Sequence, residues 1–171
     1  MTAPTITARS ARRASGARGF TLVEVMFTLV ILGILTAFAL PEMSKFVKDQ
    51  RVKAATQDVF ATLLYARSEA IKRAADINVN PTATDWAGGW SVKASGTNLK
   101  VQESIGGVTI TGPASGVLVF RRDGRLSATV PVFVVSSTTN SQVTARCVRI
   151  DPSGRASILT DTNGIPTDGC N

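Results

Sequence analysis

The 171-residue sequence contains no histidine and only two cysteines. The first absence removes histidine-based triads, general bases and metal centres. The second excludes a four-cysteine zinc site. No Walker A loop, G-x-G-x-x-G, H-E-x-x-H or G-x-S-x-G segment occurs, so neither an enzyme nor a cofactor is expected. The 14 glycines and 7 prolines follow no G-X-Y period, which excludes collagen. The chain is not poor in apolar residues either. With 44% hydrophobic and 18% charged residues it is not a disordered chain, and its length allows one ordinary domain plus an extension. Asp161-x-Asn163-Gly164 opens like a calcium loop but lacks the later ligands, and reads as a surface turn.

What is present is charge of uneven distribution. The formal net charge of +7 invites a nucleic-acid reading. Residues 1–19, however, hold Arg9, Arg12, Arg13 and Arg18 and no acid. From Phe20 to Leu40 the chain is apolar except for Glu24. Twenty-one such residues make roughly 31 Å of helix, enough to cross a bilayer. A buried core helix would show a polar face, and a secretory signal would be shorter with its small residue after the apolar run. Here the small residue, Gly19, precedes it. The arginines place residues 1–19 in the cytoplasm and everything after Leu40 beyond the membrane. A carboxylate within a span needs a partner. A cut after Gly19 would put a new α-amino group at Phe20, one helical turn from Glu24.

Arg18-Gly19-Phe20-Thr21-Leu22-Val23-Glu24 resembles the cleavage and methylation motif of type IV pilins and type II secretion pseudopilins. The resemblance implies cleavage between Gly19 and Phe20 by a prepilin peptidase that also N-methylates Phe20, leaving 152 residues. It gives Glu24 a role in filament assembly, and it places Pro41 where the family often carries a helix-loosening proline. A kink or local melting is expected there, because proline lacks the amide hydrogen and clashes one turn back.

Beyond Pro41 the helical pattern becomes two-faced. Val52, Val59, Phe60, Leu63, Leu64 and Ile71 recur at helical spacings among charged residues, to about Ala75. From residue 76 the pattern is of short strands: Ile77–Asn80, Gly89–Lys93, Asn98–Glu103, Gly107–Thr111, Val117–Arg121, Pro131–Ser136, Val143–Ile150 and Arg155–Leu159. Val117–Phe120 and Val132–Val135 are apolar throughout, as strands buried on both faces would be. Arg122-Asp123-Gly124-Arg125 and Asp151-Pro152-Ser153-Gly154 are turn signals. The expected fold is α+β: a leader (1–19), a transmembrane and assembly helix (20–41), an amphipathic stem (42–75), and an antiparallel β-sheet head (76–171) packed on the stem. With the head outside the cytoplasm, Cys147 and Cys170 are read as a disulfide rather than two free thiols.

Gly88-Gly89-Trp90, Phe120 through Arg125, and Arg149 through Arg155 resemble, in that order, the head signatures of the GspH/FimT (FimU) family of minor pilins and pseudopilins. The resemblance implies a type IV pilin-like fold and a structural subunit that primes or caps an envelope filament, in type IV pilus biogenesis or type II protein secretion. Implied partners are the prepilin peptidase/N-methyltransferase, other major and minor pilins or pseudopilins, the inner-membrane assembly platform and inner-membrane lipid. The implied location is the bacterial inner membrane, single-pass, with the head periplasmic and later filament-associated. The alternative is a DNA-binding minor pilin active in natural transformation, with Arg121, Arg122, Arg125, Arg146, Arg149 and Arg155 contacting phosphates. The family's Gly-Arg-x-Arg signature for DNA is incomplete here, since Gly154-Arg155-Ala156-Ser157 lacks the second arginine. Removal of the leader would lower the net charge from +7 to +3, so most of the basic excess is an orientation signal.

Overall fold

A computed structural model describes residues 19–83, 85–113, 116–128, 132–139, 141–168 and 170. The arginine-rich segment 1–18 and Pro131, the expected first residue of a strand, lie outside the described residues. The chain divides into two compact units, Met1–Ala39 and Leu40–Asn171. One helix, α1, spans Leu22–Arg73 and is continuous through Pro41, so the backbone is not melted there.

In the first unit the described residues of α1 expose every side chain, and none of the most apolar 18-residue window is buried. Two hydroxyls interrupt that apolar surface. Both are satisfied by the helix's own carbonyls: Thr28 Oγ1 donates to Val25 O at 2.8 Å, and Thr36 Oγ1 to Leu32 O at 3.0 Å. Neither hydroxyl therefore opposes transfer of the helix into lipid, where unsatisfied polar groups are costly.

In the second unit α1 buries Val52, Ala55, Thr56, Val59, Thr62, Leu63, Ala66, Glu69 and Ala70, which recur every three or four residues. The buried stripe differs from the one expected from large apolar residues. Leu64 and Ile71 are 42% and 54% exposed, and alanine and threonine take their place. Small side chains let a sheet approach the helix closely, an effect invisible to a count of hydrophobic residues.

The head holds eight strands: β1 (Ile77–Pro81), β2 (Trp90–Ala94), β3 (Thr97–Gln102), β4 (Val108–Thr111), β5 (Leu118–Phe120), β6 (Phe133–Ser137), β7 (Arg146–Ile150) and β8 (Ala156–Thr160). They form two four-stranded antiparallel sheets, ordered β3-β2-β1-β5 and β4-β6-β7-β8, where a single sheet was expected. Strands expected to be buried on both faces instead alternate. Leu118 and Phe120 are buried around a half-buried Val119, and Phe133 and Val135 around Val134. Each sheet shares the core through its inner face, so the outward valines serve strand propensity rather than burial. The strand expected from Val143 begins only at Arg146, and Val143 and Ala145 are buried from a loop.

The core joins helix and both sheets in one cluster. Trp90, 1% exposed, donates its indole N–H to Thr62 Oγ1 at 3.1 Å, so the one polar atom of the largest core side chain is satisfied by the helix. Trp86 meets the edge of Phe133 with ring centroids 4.8 Å apart. These contacts explain why a Gly-Trp pair opens β2: Gly89 has φ 98°, and a Cβ there would lie within 2.5 Å of Gln102 O.

Candidate functional site

The N-terminal segment has a defined local structure. Thr21 is the last residue before α1, and its Oγ1 accepts the N–H of Glu24 at 3.2 Å while its carbonyl accepts that of Val25 at 3.2 Å. Thr21 is therefore the N-cap and Glu24 the third helical residue, the T-x-x-E spacing of a capping box. Sequence reasoning had treated Thr21 only as part of the motif, although this spacing was legible. Phe20 then sits one residue before the cap, 80% exposed, and Gly19 is free of neighbours: a Cβ there would meet nothing within 4 Å. Glu24 lies in the first turn, where a carboxylate complements the positive end of the helix dipole. Among the described residues up to Leu40 it carries the only ionisable side chain. An α-amino group created at Phe20 would add positive charge at that end, and Glu24 is the side chain available to offset it.

The head's turn signals come together in space. Arg121–Arg125 and Asp151–Arg155 adopt the same hairpin geometry. In the first, Arg121 N–H bonds Arg125 O and Gly124 N–H bonds Arg121 O; in the second, Asp151 bonds Arg155 and Gly154 bonds Asp151 in the same way. Gly124 and Gly154 occupy the left-handed region, with φ 76° and 78°. The two turns stack back to back, so closely that a Cβ on Gly154 would overlap the carbonyl oxygen of Gly124, and Leu126 N–H donates to Pro152 O at 3.1 Å. Gly124 in turn faces Ile71 and Arg67 of α1. This explains Ile71, which is exposed overall yet serves as the platform for a turn.

Of the arginines considered for DNA, Arg121, Arg122, Arg125 and Arg155 share these stacked turns, interleaved with Asp123 and Asp151. Arg149 lies outside them, exposed on β7. Arg146, also on β7, reaches Thr160 Oγ1 at 3.5 Å. The C-terminal tail returns to the second sheet. Cys147 on β7 is disulfide-bonded to Cys170 with Cα atoms 6.0 Å apart, and both are buried. At the last turn of α1, Glu69 offsets part of the positive charge: it accepts from Arg73 Nε at 2.5 Å and pairs with Lys72 at 3.6 Å. The hydrogen bond from Arg73 holds the Glu69 carboxyl below the usual carboxylate value.

Residues 55–154 match the family described as type II transport protein GspH. The chain belongs to the GspH family. Residues 14–40 separately match the prokaryotic N-terminal methylation motif. The GspH match begins on the buried face of α1 and ends at Gly154, so it contains both turn glycines, while β8 and Cys170 lie beyond it. Among solved structures, the type IV minor pilin FimU of Pseudomonas aeruginosa in space group P21 has the same fold, with a TM-score of 0.57 and 24% identity over 66% of this chain and 91% of that one. FimU in space group P65 matches with a TM-score of 0.54 and 25% identity, over 62% of this chain and 90% of the other. The GspH-type head and the capped apolar helix are thus carried on one chain.

Proposed function

We propose that the chain is a minor pilin or pseudopilin, a structural and non-enzymatic subunit that primes or caps assembly of an envelope filament of the type IV pilus or type II secretion kind. One observation carries the reading: a first-turn carboxylate, Glu24, alone among the described residues up to Leu40 on the exposed apolar first part of α1, which begins at Leu22 after Gly19, Phe20 and the capping Thr21. In this reading a prepilin peptidase on the cytoplasmic face removes residues 1–19 and methylates Phe20. The mature helix then rests in the inner membrane with the head periplasmic. On assembly the apolar helices of neighbouring subunits replace lipid, and Glu24 meets the Phe20 amine of a neighbour. That pairing keeps both charges from being buried alone. Pilins or pseudopilins and the assembly platform are the partners this requires.

The test is Glu24→Ala. Membrane insertion and removal of the leader are expected to be unchanged, with the mature mass altered only by the substitution itself, while the amount of subunit recovered in sheared filaments falls. Normal incorporation of this variant would remove the role given to Glu24.

A further inference from the structure

Away from the processing segment and the stacked turns, the head carries two adjoining hollows. The first has a volume of about 440 Å³, within the range of small-molecule sites. Its walls present Ser136, Ser137, Ser141, Gln142, Thr144 and Asp161, with Val143 and Ala145 between them. Asp161 is only 6% exposed. It is fixed by its own N–H, which donates to Ala145 O at 3.0 Å, and by Asn163 N–H, which donates to its Oδ1 at 3.3 Å. The second hollow, about 380 Å³, shares Gln142, Val143 and Thr144 with the first and adds Phe46, Glu42, Lys45 and Asp49 from α1. The Phe46 ring is 56% exposed, and Asp49 is bonded to Lys53 at 2.6 Å.

We propose that the two hollows form a binding site for a neutral oligosaccharide, each hollow taking about one sugar ring. A sugar hydroxyl both donates and accepts, as do the serine, threonine and glutamine groups that line the first hollow. The Asp161 carboxylate, whose Oδ1 already accepts from Asn163, accepts in addition from a sugar hydroxyl. The C–H face of a ring in the second hollow covers the Phe46 face. With Asp49 engaged by Lys53, the lining sets Glu42 and Asp161 against Lys45, a negative balance that disfavours polyanions such as oligouronates and nucleic acids. A bare metal ion fits poorly: the first hollow has a single carboxylate, and the described residues contain no cluster of three or more metal-ligating side chains.

The experiment uses the full chain in a zwitterionic detergent without a sugar headgroup, with methyl-labelled valine and alanine, titrated with cellotriose, triacetylchitotriose and trigalacturonate. At least one neutral trisaccharide is expected to shift the Val143 and Ala145 methyl signals saturably, and trigalacturonate is not. Asp161→Asn, which keeps the shape and the acceptor for Asn163, should weaken binding about tenfold. Phe46→Ala should weaken it about fivefold. Phe46 is exposed, so this second variant reads binding even if the Asp161 loop rearranges. The proposal is overturned if neither neutral trisaccharide moves these methyls at millimolar concentration, if trigalacturonate binds equally well, or if Phe46→Ala binds as tightly as the unmodified chain.

Discussion

Replacing Gly154 with alanine should cripple the head, through a cost that can be built from its surroundings. The residue has φ 78°, and leaving alanine in the left-handed region costs about 1–2 kcal/mol. Its new Cβ would overlap the Gly124 carbonyl oxygen, with Gly124 C 3.1 Å away and Arg67 Nε 3.4 Å away. The obstructing atom is backbone, so relief requires the stacked turns to separate, an overpacking cost of about 1–3 kcal/mol. Separation also stretches the Leu126 N–H to Pro152 O bond, worth about 1 kcal/mol. Reduced freedom of the unfolded chain returns about 0.4–1 kcal/mol. The net loss is about 2–6 kcal/mol, against a total stability of about 5–15 kcal/mol for an ordinary domain. Gly164 supplies the control. It has φ 74°, but a Cβ there meets nothing within 4 Å, so Gly164→Ala should cost only about 1 kcal/mol. Urea unfolding of the chain in detergent, followed by fluorescence of the buried Trp86 and Trp90, reads both variants. Equal midpoints for the two would refute the stacked-turn reasoning.

Replacing Gly19 with leucine should leave the leader attached, seen as an unshifted precursor mass. Because Gly19 touches nothing, unfolding should be unchanged, so a cleavage defect would report recognition by the peptidase. Cys170→Ser removes the disulfide and should cost roughly 3 kcal/mol, with protease cuts appearing after β8. Acid should weaken the last turn of α1. The Glu69 carboxyl is held below its ordinary value of 4.5 in the folded chain, so its contribution is full above that value and is lost as pH falls through the lowered one. Glu69→Gln should flatten this part of the acid unfolding profile; an unchanged profile would mean the pair with Arg73 does not form in solution.

Much of the fold was legible because the patterns are local. The apolar run, the turn signals around Gly124 and Gly154, and the succession of short strands each arise within a few residues, and the strands fall within a residue or three of their expected ends. Helix contacts were read less well. Hydrophobic periodicity favoured Leu64 and Ile71, whereas burial favours Ala55, Ala66 and Ala70, since the spacing between helix and sheet is set by the smallest side chains at the contact. The T-x-x-E cap at Thr21 was present in the sequence and went unread because the same residues had been assigned to processing.

Taken alone, the amino-acid sequence determined the apolar helix, the lone Glu24, the motif around Gly19 and Phe20, and the succession of strands. All of these depend on residue type and spacing along the chain. Only the tertiary structure decided the partition of those strands into two sheets, the stacking of Gly154 on Gly124, the seat of Trp90 on Thr62 and the hollows around Asp161 and Phe46. Those features join residues tens of positions apart, and close packing, which no local pattern encodes, selects them.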